Sequence, residues 1–223
     1  MLLRGLGPSL GAMGLAGVLS NPTLELHWPD GKIILGNDDW KEAQQAEIEA
    51  TGIPPTQNLE SAIIATLPAA GAGYTAVLRG KNGGTGIGLV EAYDLDTSAN
   101  SKLANISTRG FVEASDNAMI GGFILDGGTA EVLIRALGPS LTAQGVSHPL
   151  VDPTLELRDR DGTLVVANDN WKDTQEMAIR ATGIPPTHDL EAALVMTLSP
   201  GSYTAIFAAK ATPPESAWSK SSS

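Results

Sequence analysis

The chain has 223 residues, enough for one large or two small domains, and only 4% of them are aromatic, so its cores must be built mainly from Leu, Ile, Val and Ala. Its 25 acidic side chains outnumber 14 basic ones, and the net charge of −11 disfavours nucleic acid and anionic membrane surfaces as partners. The lack of cysteine excludes disulfides and thiolate zinc sites, and 25 Gly with 14 Pro fit many turns between short strands.

The opening "MLLRGLGPSLGAMGLAGVLS" has the Arg-then-apolar pattern of a signal peptide. Its core, Arg4 to Leu10, recurs inside the chain as Arg135 to Leu141, so it is read as part of a fold rather than as a cleaved address. No apolar run free of Gly, Pro and charge is long enough to span a bilayer. The recurrence goes further. Asn21 to Leu67 matches Asp152 to Leu198 without a gap, and after a two-residue deletion Tyr74 to Leu78 matches Tyr203 to Phe207. Repetition of this length marks one structural unit written twice.

In chain order, Thr23 to Leu26 alternates apolar with polar residues, as a half-buried strand does. Asp30-Gly31 then signals a hairpin that returns through Lys32 to Leu35. A short helix follows, with Asp39 as its cap, Trp40 and Ile48 toward the core, and Gly52 as its stop. Ser61 to Leu67, Tyr74 to Leu78 and Gly86 to Leu95 read as strands, and so do Ile106 to Val112, Met119 to Leu125 and Glu131 to Leu137. The second copy repeats the pattern with Thr154 to Leu157, Asp161-Gly162, Thr163 to Val166, Asn170 as cap, Trp171, Ile179 and Gly183. These elements predict an all-β protein: two antiparallel β-sandwiches of jelly-roll or immunoglobulin-like type, each with one short helix. The first unit spans 1–98 and the second 99–223.

Each copy is expected to be short of strands. The first begins at Met1, without counterparts of the strands Ile106 to Val112 and Met119 to Leu125. The second reaches its end on "AAKATPPESAWSKSSS" where the first has "RGKNGGTGIGLVEAYDLD". A back-translation of the tail from Ala208, read two bases out of frame, yields "GKGNTTGVGLVEVF", close to the strand of the first copy. Residues 208–223 are therefore read as an out-of-frame remnant of a last strand, or else as an ordinary disordered Pro/Ser-rich tail. Pro213 and Pro214 lack the N–H that a ladder needs, so the second unit should keep an open sheet edge to which another repeat or another chain can add a strand.

Candidate chemistry is sparse. Asn37, Asp38 and Asp39, with Asn168, Asp169 and Asn170 in the second copy, offer clustered oxygens suited to Ca²⁺; the competing reading is a helix cap with solvated neighbours. Trp40 and Trp171 sit at matching positions and either stack on a sugar or pack in a core. His27, His148 and His188 fall on Arg158, Gly17 and Gln57 of the other copy, so no histidine is repeated. Ser9 and Ser140 lack the Gly-x-Ser-x-Gly elbow, and "GKNGGTG" lacks a phosphate loop's ending and helix. No catalytic residue is assigned.

The string "STRGFV…GGFI…RALGPSL…NDNW…GIPP…YTA…GLVEAYDL" resembles a tandem repeat module of bacterial secreted and cell-surface proteins. The stretch "PTLELRDRDGTLVVANDNW…LSPGSYTAIF" is broadly similar to bacterial pre-peptidase C-terminal β-sandwich domains. The resemblance implies an extracellular or cell-surface location and a non-catalytic structural, adhesion or assembly role, without a cofactor. The rival is a carbohydrate- or calcium-binding accessory module of a secreted hydrolase, with polysaccharide as its partner.

Overall fold

In the computed structural model, which describes residues 1–68, 73–96, 105–112 and 118–211, strands dominate and pair only antiparallel within the sheets. The chain divides into two units, Met1–Ala104 and Asn105–Ser223. The first holds β1 (Leu2–Leu6), α1 (Pro8–Ala12), β2 (Pro22–His27), β3 (Ile33–Asn37), α2 (Gln45–Ala50), β4 (Ser61–Ile64), β5 (Thr75–Gly80) and β6 (Leu89–Tyr93). They form two three-stranded sheets, in the orders β3-β2-β5 and β4-β1-β6.

The alternation of β2 turns Leu24 and Leu26 inward, where they meet Leu3 of β1 and Ile63 of β4. This is a sandwich core, with burial of each such side chain stabilising by roughly 1.5–3 kcal/mol. The other face of the β4-β1 pair is covered as well: Leu2 and Ala62 pack under Trp40 and Ile48. One sheet is thus apolar on both faces, which explains the unbroken Ser61 to Ile63 burial that follows the alternating β2.

The second unit holds β7 (Met119–Leu125), β8 (Ala130–Ala136), β9 (Pro153–Arg158), β10 (Leu164–Asn168), α3 (Glu176–Ala181), β11 (Ala192–Leu198) and β12 (Gly201–Ala209). Its sheets run β10-β9-β12-β7 and β11-β8. Leu155, Leu157, Ala136 and Leu194 fill the space between them, and Trp171, Ile179 and Ala193 pack on the far face of β11. Residues matched in the sequence meet matching partners. Leu24 lies opposite Asn37 and Leu155 opposite Asn168, while Arg4 faces Ala62 and Arg135 faces Ala193.

The units differ in one strand each. β6 lines β1, yet among the described residues β8 has no partner on its corresponding edge. Conversely, β7 lines β12, and among the described residues β5 has no such neighbour.

Several expectations change. Ile106 to Val112 forms no strand: its described residues pair with nothing, Phe111 is 88% exposed, and without a ladder the extended chain has no reason to hold. The short helices begin at Gln45 and Glu176, several residues after Asp39 and Asn170, which therefore cap neither. The residues between are held in turns because Trp40 N–H donates to Glu60 O and Trp171 N–H to Glu191 O, both at 2.8–2.9 Å. β12 continues through Ala209, two residues beyond Phe207, and Lys210 N–H donates to Asp152 O at 2.9 Å, as Lys81 N–H does to Asn21 O. The remainder of the tail expectation, at 212–223, lies outside the described residues.

Candidate functional site

Each unit contains a fully buried glutamate, Glu60 and Glu191, that the sequence reading overlooked. Glu60 Oε1 accepts the backbone N–H of Gly7 (3.1 Å) and Ser9 (2.9 Å), and Oε2 accepts that of Gln57 (3.3 Å). Glu191 accepts Gly138 (2.9 Å), Ser140 (3.0 Å) and His188 (3.3 Å), together with the Ser140 hydroxyl. The Gly and Ser N–H groups open the Gly-Pro-Ser-Leu turns, and the Gln57 and His188 N–H groups belong to the loop before each glutamate, so the carboxylate fastens each turn to the loop that enters β4 or β11. With its lone pairs directed at backbone donors, this glutamate is a clasp. The Ser140 hydroxyl joins the clasp as well, whereas the Ser9 hydroxyl is buried without a hydrogen-bond partner.

The acidic turns follow β3 and β10. Asn37 and Asn168 bridge two segments. Their Oδ1 atoms accept Ala62 N–H and Ala193 N–H, each at 2.9 Å, and their Nδ2 groups donate to Asp39 O (3.2 Å) and Asn170 O (3.0 Å). The side-chain amide thereby joins the turn to the neighbouring strand.

The next two positions behave differently. Asp38 forms an ion pair with Lys81, and Asp169 with Lys210, which also reaches Asp152 at 3.4 Å. The carboxylates hold both ammonium groups above the usual lysine range, Asp38 acting on Lys81 and chiefly Asp169 on Lys210. The other oxygens, Asp38 Oδ1, Asp39 Oδ1 and Asn21 Oδ1, are buried without a hydrogen-bond partner. In the second unit the same holds for Asp169 Oδ1, Asn170 Oδ1 and Asp152 Oδ1, at the matching positions. A buried, unsatisfied oxygen costs about 1–3 kcal/mol, so three unmet acceptors at matching positions of each unit are unusual. Neither turn gathers three His, Cys, Asp or Glu side chains among the described residues, because each set includes an asparagine.

Trp40 and Trp171 are buried, with 4% and 2% exposure. Their indole N–H groups donate to Gln57 O (3.2 Å) and His188 O (3.1 Å), and the ammonium groups of Lys41 and Lys172 lie over the rings at 5.2 and 5.4 Å. The sugar-stacking expectation is therefore corrected: a ring used to close the far face of a sheet has no face left for a pyranose.

The third repeated feature is Arg4 and its counterpart Arg135. Arg4 Nε donates to Glu91 Oε2 (2.8 Å), Nη2 to the same carboxylate and to Tyr93 OH (3.0 Å), and Nη1 to Ile53 O (2.9 Å). Burial, with the neighbouring Glu91 after it, raises the Tyr93 phenol above its ordinary range. Arg135 retains the contact to Ile184 O at 3.1 Å and meets no carboxylate among the described residues. No family model, no curated protein and no solved structure matches this chain.

Proposed function

We propose that the chain is a non-catalytic β-sandwich module of a bacterial surface or secreted protein, with a structural, adhesion or assembly role exercised through open sheet edges. The supporting observation is the reciprocal pair of edges: among the described residues β8 lacks the kind of neighbour that β6 gives β1, and β5 lacks the kind that β7 gives β12. An edge with unpaired N–H and C=O groups is a template for strand addition by a neighbouring unit. The repeated polar side chains support the same reading, since Glu60, Glu191, Asn37 and Asn168 are spent on holding turns to strands. The test is sedimentation across a concentration series. Association through the edges gives oligomers whose population rises with concentration, and a chain that remains monomeric throughout overturns the assembly role.

A second reading, calcium binding, is favoured by the matched unpartnered oxygens of Asn21, Asp38 and Asp39 and of Asp152, Asp169 and Asn170. Ca²⁺ takes about six to eight oxygen ligands, carboxylate and amide carbonyl included, which fits this donor set better than any nitrogen- or sulfur-seeking metal. Bound there, the ion would tie the start of β2 or β9 to the turn after β3 or β10. Thermal unfolding with calcium and with chelator tests it.

A further inference from the structure

The free edge of β8 carries the imprint of a particular sequence. Within the first unit, β6 lies antiparallel to β1 with Tyr93 opposite Leu2, Glu91 opposite Arg4 and Leu89 opposite Leu6. Leu133 and Arg135 occupy the matching places along β8 and Leu137 the place just past its end, and β8 has β11 on its other side in the same register that β4 has with β1. What β6 covers in one unit is uncovered in the other. Leu2 is fully buried and Ile53 packs beside Tyr93, whereas Leu133 is half-buried and Ile184 is 56% exposed. The Arg4 side chain is 15% exposed against its carboxylate, and Arg135 is an exposed residue whose guanidinium still bonds the Ile184 carbonyl. The guanidinium is thus positioned but meets no anion among the described residues.

We infer that the β8 edge is a binding site for an extended, antiparallel strand of the pattern Leu-x-Glu-x-Tyr, supplied by the last strand of another unit of this kind. The glutamate seats on Arg135, the tyrosine covers Leu133 and Ile184, and the leucine lies opposite Leu137. Main-chain hydrogen bonds to β8 hold the strand, and the Arg–Glu pair fixes its register: a slip by one residue would turn Glu and Tyr to the opposite face. This inference rests on the edge-pairing role proposed above and names the chemistry of the partner.

The probe is a labelled synthetic peptide with the sequence Gly86 to Asp96, GIGLVEAYDLD, titrated against the full chain by fluorescence anisotropy, with hydrogen exchange locating the contact. Expected are saturable binding, new amide protection along Leu133 to Leu137, at least tenfold weaker binding to the Arg135→Glu chain, and recovery when that chain meets a peptide carrying Glu91→Arg. A peptide N-methylated at Glu91, which removes the ladder donor facing the arginine while keeping every side chain, should also bind more weakly. Absence of saturable binding overturns the inference, as does protection confined to β5 or β7, or binding indifferent to the charge exchange. The sedimentation series separates the two proposals. A chain that self-associates but does not take the peptide keeps the assembly role and loses this site, whereas a monomeric chain that binds the peptide in register keeps the site and loses the assembly role.

Discussion

Gly7 and Leu19 touch so closely that a Cβ built on Gly7 would sit 2.1 Å from the Leu19 carbonyl oxygen, and the matching pair, Gly138 and Leu150, gives 2.2 Å. Backbone meets backbone there, so neither side can yield by a rotamer change. Gly7→Ala and Gly138→Ala are expected to destabilise their units by at least about 3 kcal/mol, as overpacking against main chain does at its severe end. Gly14→Ala serves as the control: its φ is +93° but nothing lies within 4 Å, so only the strain of a left-handed residue, about 1 kcal/mol, should appear. Urea unfolding of the three variants checks the ranking, and equal losses would refute the close-approach explanation.

The turn that these glycines permit is fastened by the buried glutamates. Glu60→Ala would leave the N–H groups of Gly7, Ser9 and Gln57 without their acceptor, and Glu191→Ala would do the same to Gly138, Ser140 and His188. At about 1–3 kcal/mol for each buried orphan, the loss is expected to exceed about 3 kcal/mol. Glu60→Gln keeps one acceptor oxygen but turns an NH₂ group toward backbone donors, so it should fall between wild type and Glu60→Ala. Wild-type-like unfolding midpoints for both alanine variants would remove the clasp from the account.

His27 gives the first unit a pH-sensitive contact at a position that Arg158 fills in the second. Its Nδ1 contacts Gly31 O at 2.9 Å and its Nε2 contacts Glu25 Oε2 at 3.0 Å, so both ring nitrogens face acceptors and both bonds exist together only in the imidazolium. The Gly31 carbonyl, and after it the Glu25 carboxylate, raises the His27 pKa, against the opposing effects of partial burial and of Arg79. Arg79 first, then His27, lowers that of Glu25. Because the folded-state value of His27 lies above the unfolded one near 6.5, its contribution is complete below about pH 6.5 and disappears as pH rises through the folded value. Arg158 makes the same contacts in the second unit, to Gly162 O and Glu156. Denaturant midpoints measured from about pH 6 to about pH 8 should fall for wild type and stay level for His27→Arg. A wild-type profile as flat as that of the variant would refute the linkage.

Calcium supplies a sharper test of the acidic turns than mutation alone. If the unpartnered oxygens of Asp38, Asp39 and Asn21 take the ion, millimolar Ca²⁺ should raise the melting temperature and chelator should lower it. Asp38→Asn and Asp169→Asn should each remove part of the shift, since each turn loses a charge. Magnesium should do less, because it demands a tighter octahedron and keeps its waters. Superimposable melting curves in calcium and chelator would leave the lysine pairs of Lys81 and Lys210 as the only cations these turns need.

The strands were readable wherever local pattern decides. Leu24 and Leu26 alternate with Thr23, Glu25 and His27, and burial follows that alternation residue by residue. The Asp-Gly turns hold Gly31 and Gly162 at φ of +85° and +78°, which the sequence signal requires. Glu60 was missed because its partners lie 51 and 53 residues away and a lone Glu at the end of a loop looks solvated. A signal was available: in the gap-free match the same Glu stands just before an apolar strand in both copies, a place where solvation is hard to keep. The helix start was misjudged for a related reason. Asp39 has a cap's chemistry, but the neighbouring Asn37 and Trp40 are tied to the strand at Ala62 and to Glu60, and that tertiary tie outweighs local capping.

The residue that does precede each helix, Gln44 or Gln175, has a different task. Gln44 Oε1 accepts Ile64 N–H at 3.0 Å while its Nε2 donates to Ile64 O at 2.9 Å, so the side-chain amide copies one rung of a β-ladder. Gln175 does the same to Val195, at 3.1 and 2.9 Å. These amides occupy a rung on the outer edges of β4 and β11, which leaves those edges less open to strand addition. Gln44→Leu and Gln175→Leu retain volume but remove both bonds, with an expected loss of about 2 kcal/mol for two neutral hydrogen bonds. The freed rung should also make the chain prone to pairing through β4 or β11, read as extra association in sedimentation at concentrations where wild type shows none. Glutamate at these positions keeps the acceptor but loses the donor, and should recover only part of the stability. Unchanged stability and unchanged sedimentation in both leucine variants would mean that water serves these edges as well as glutamine does.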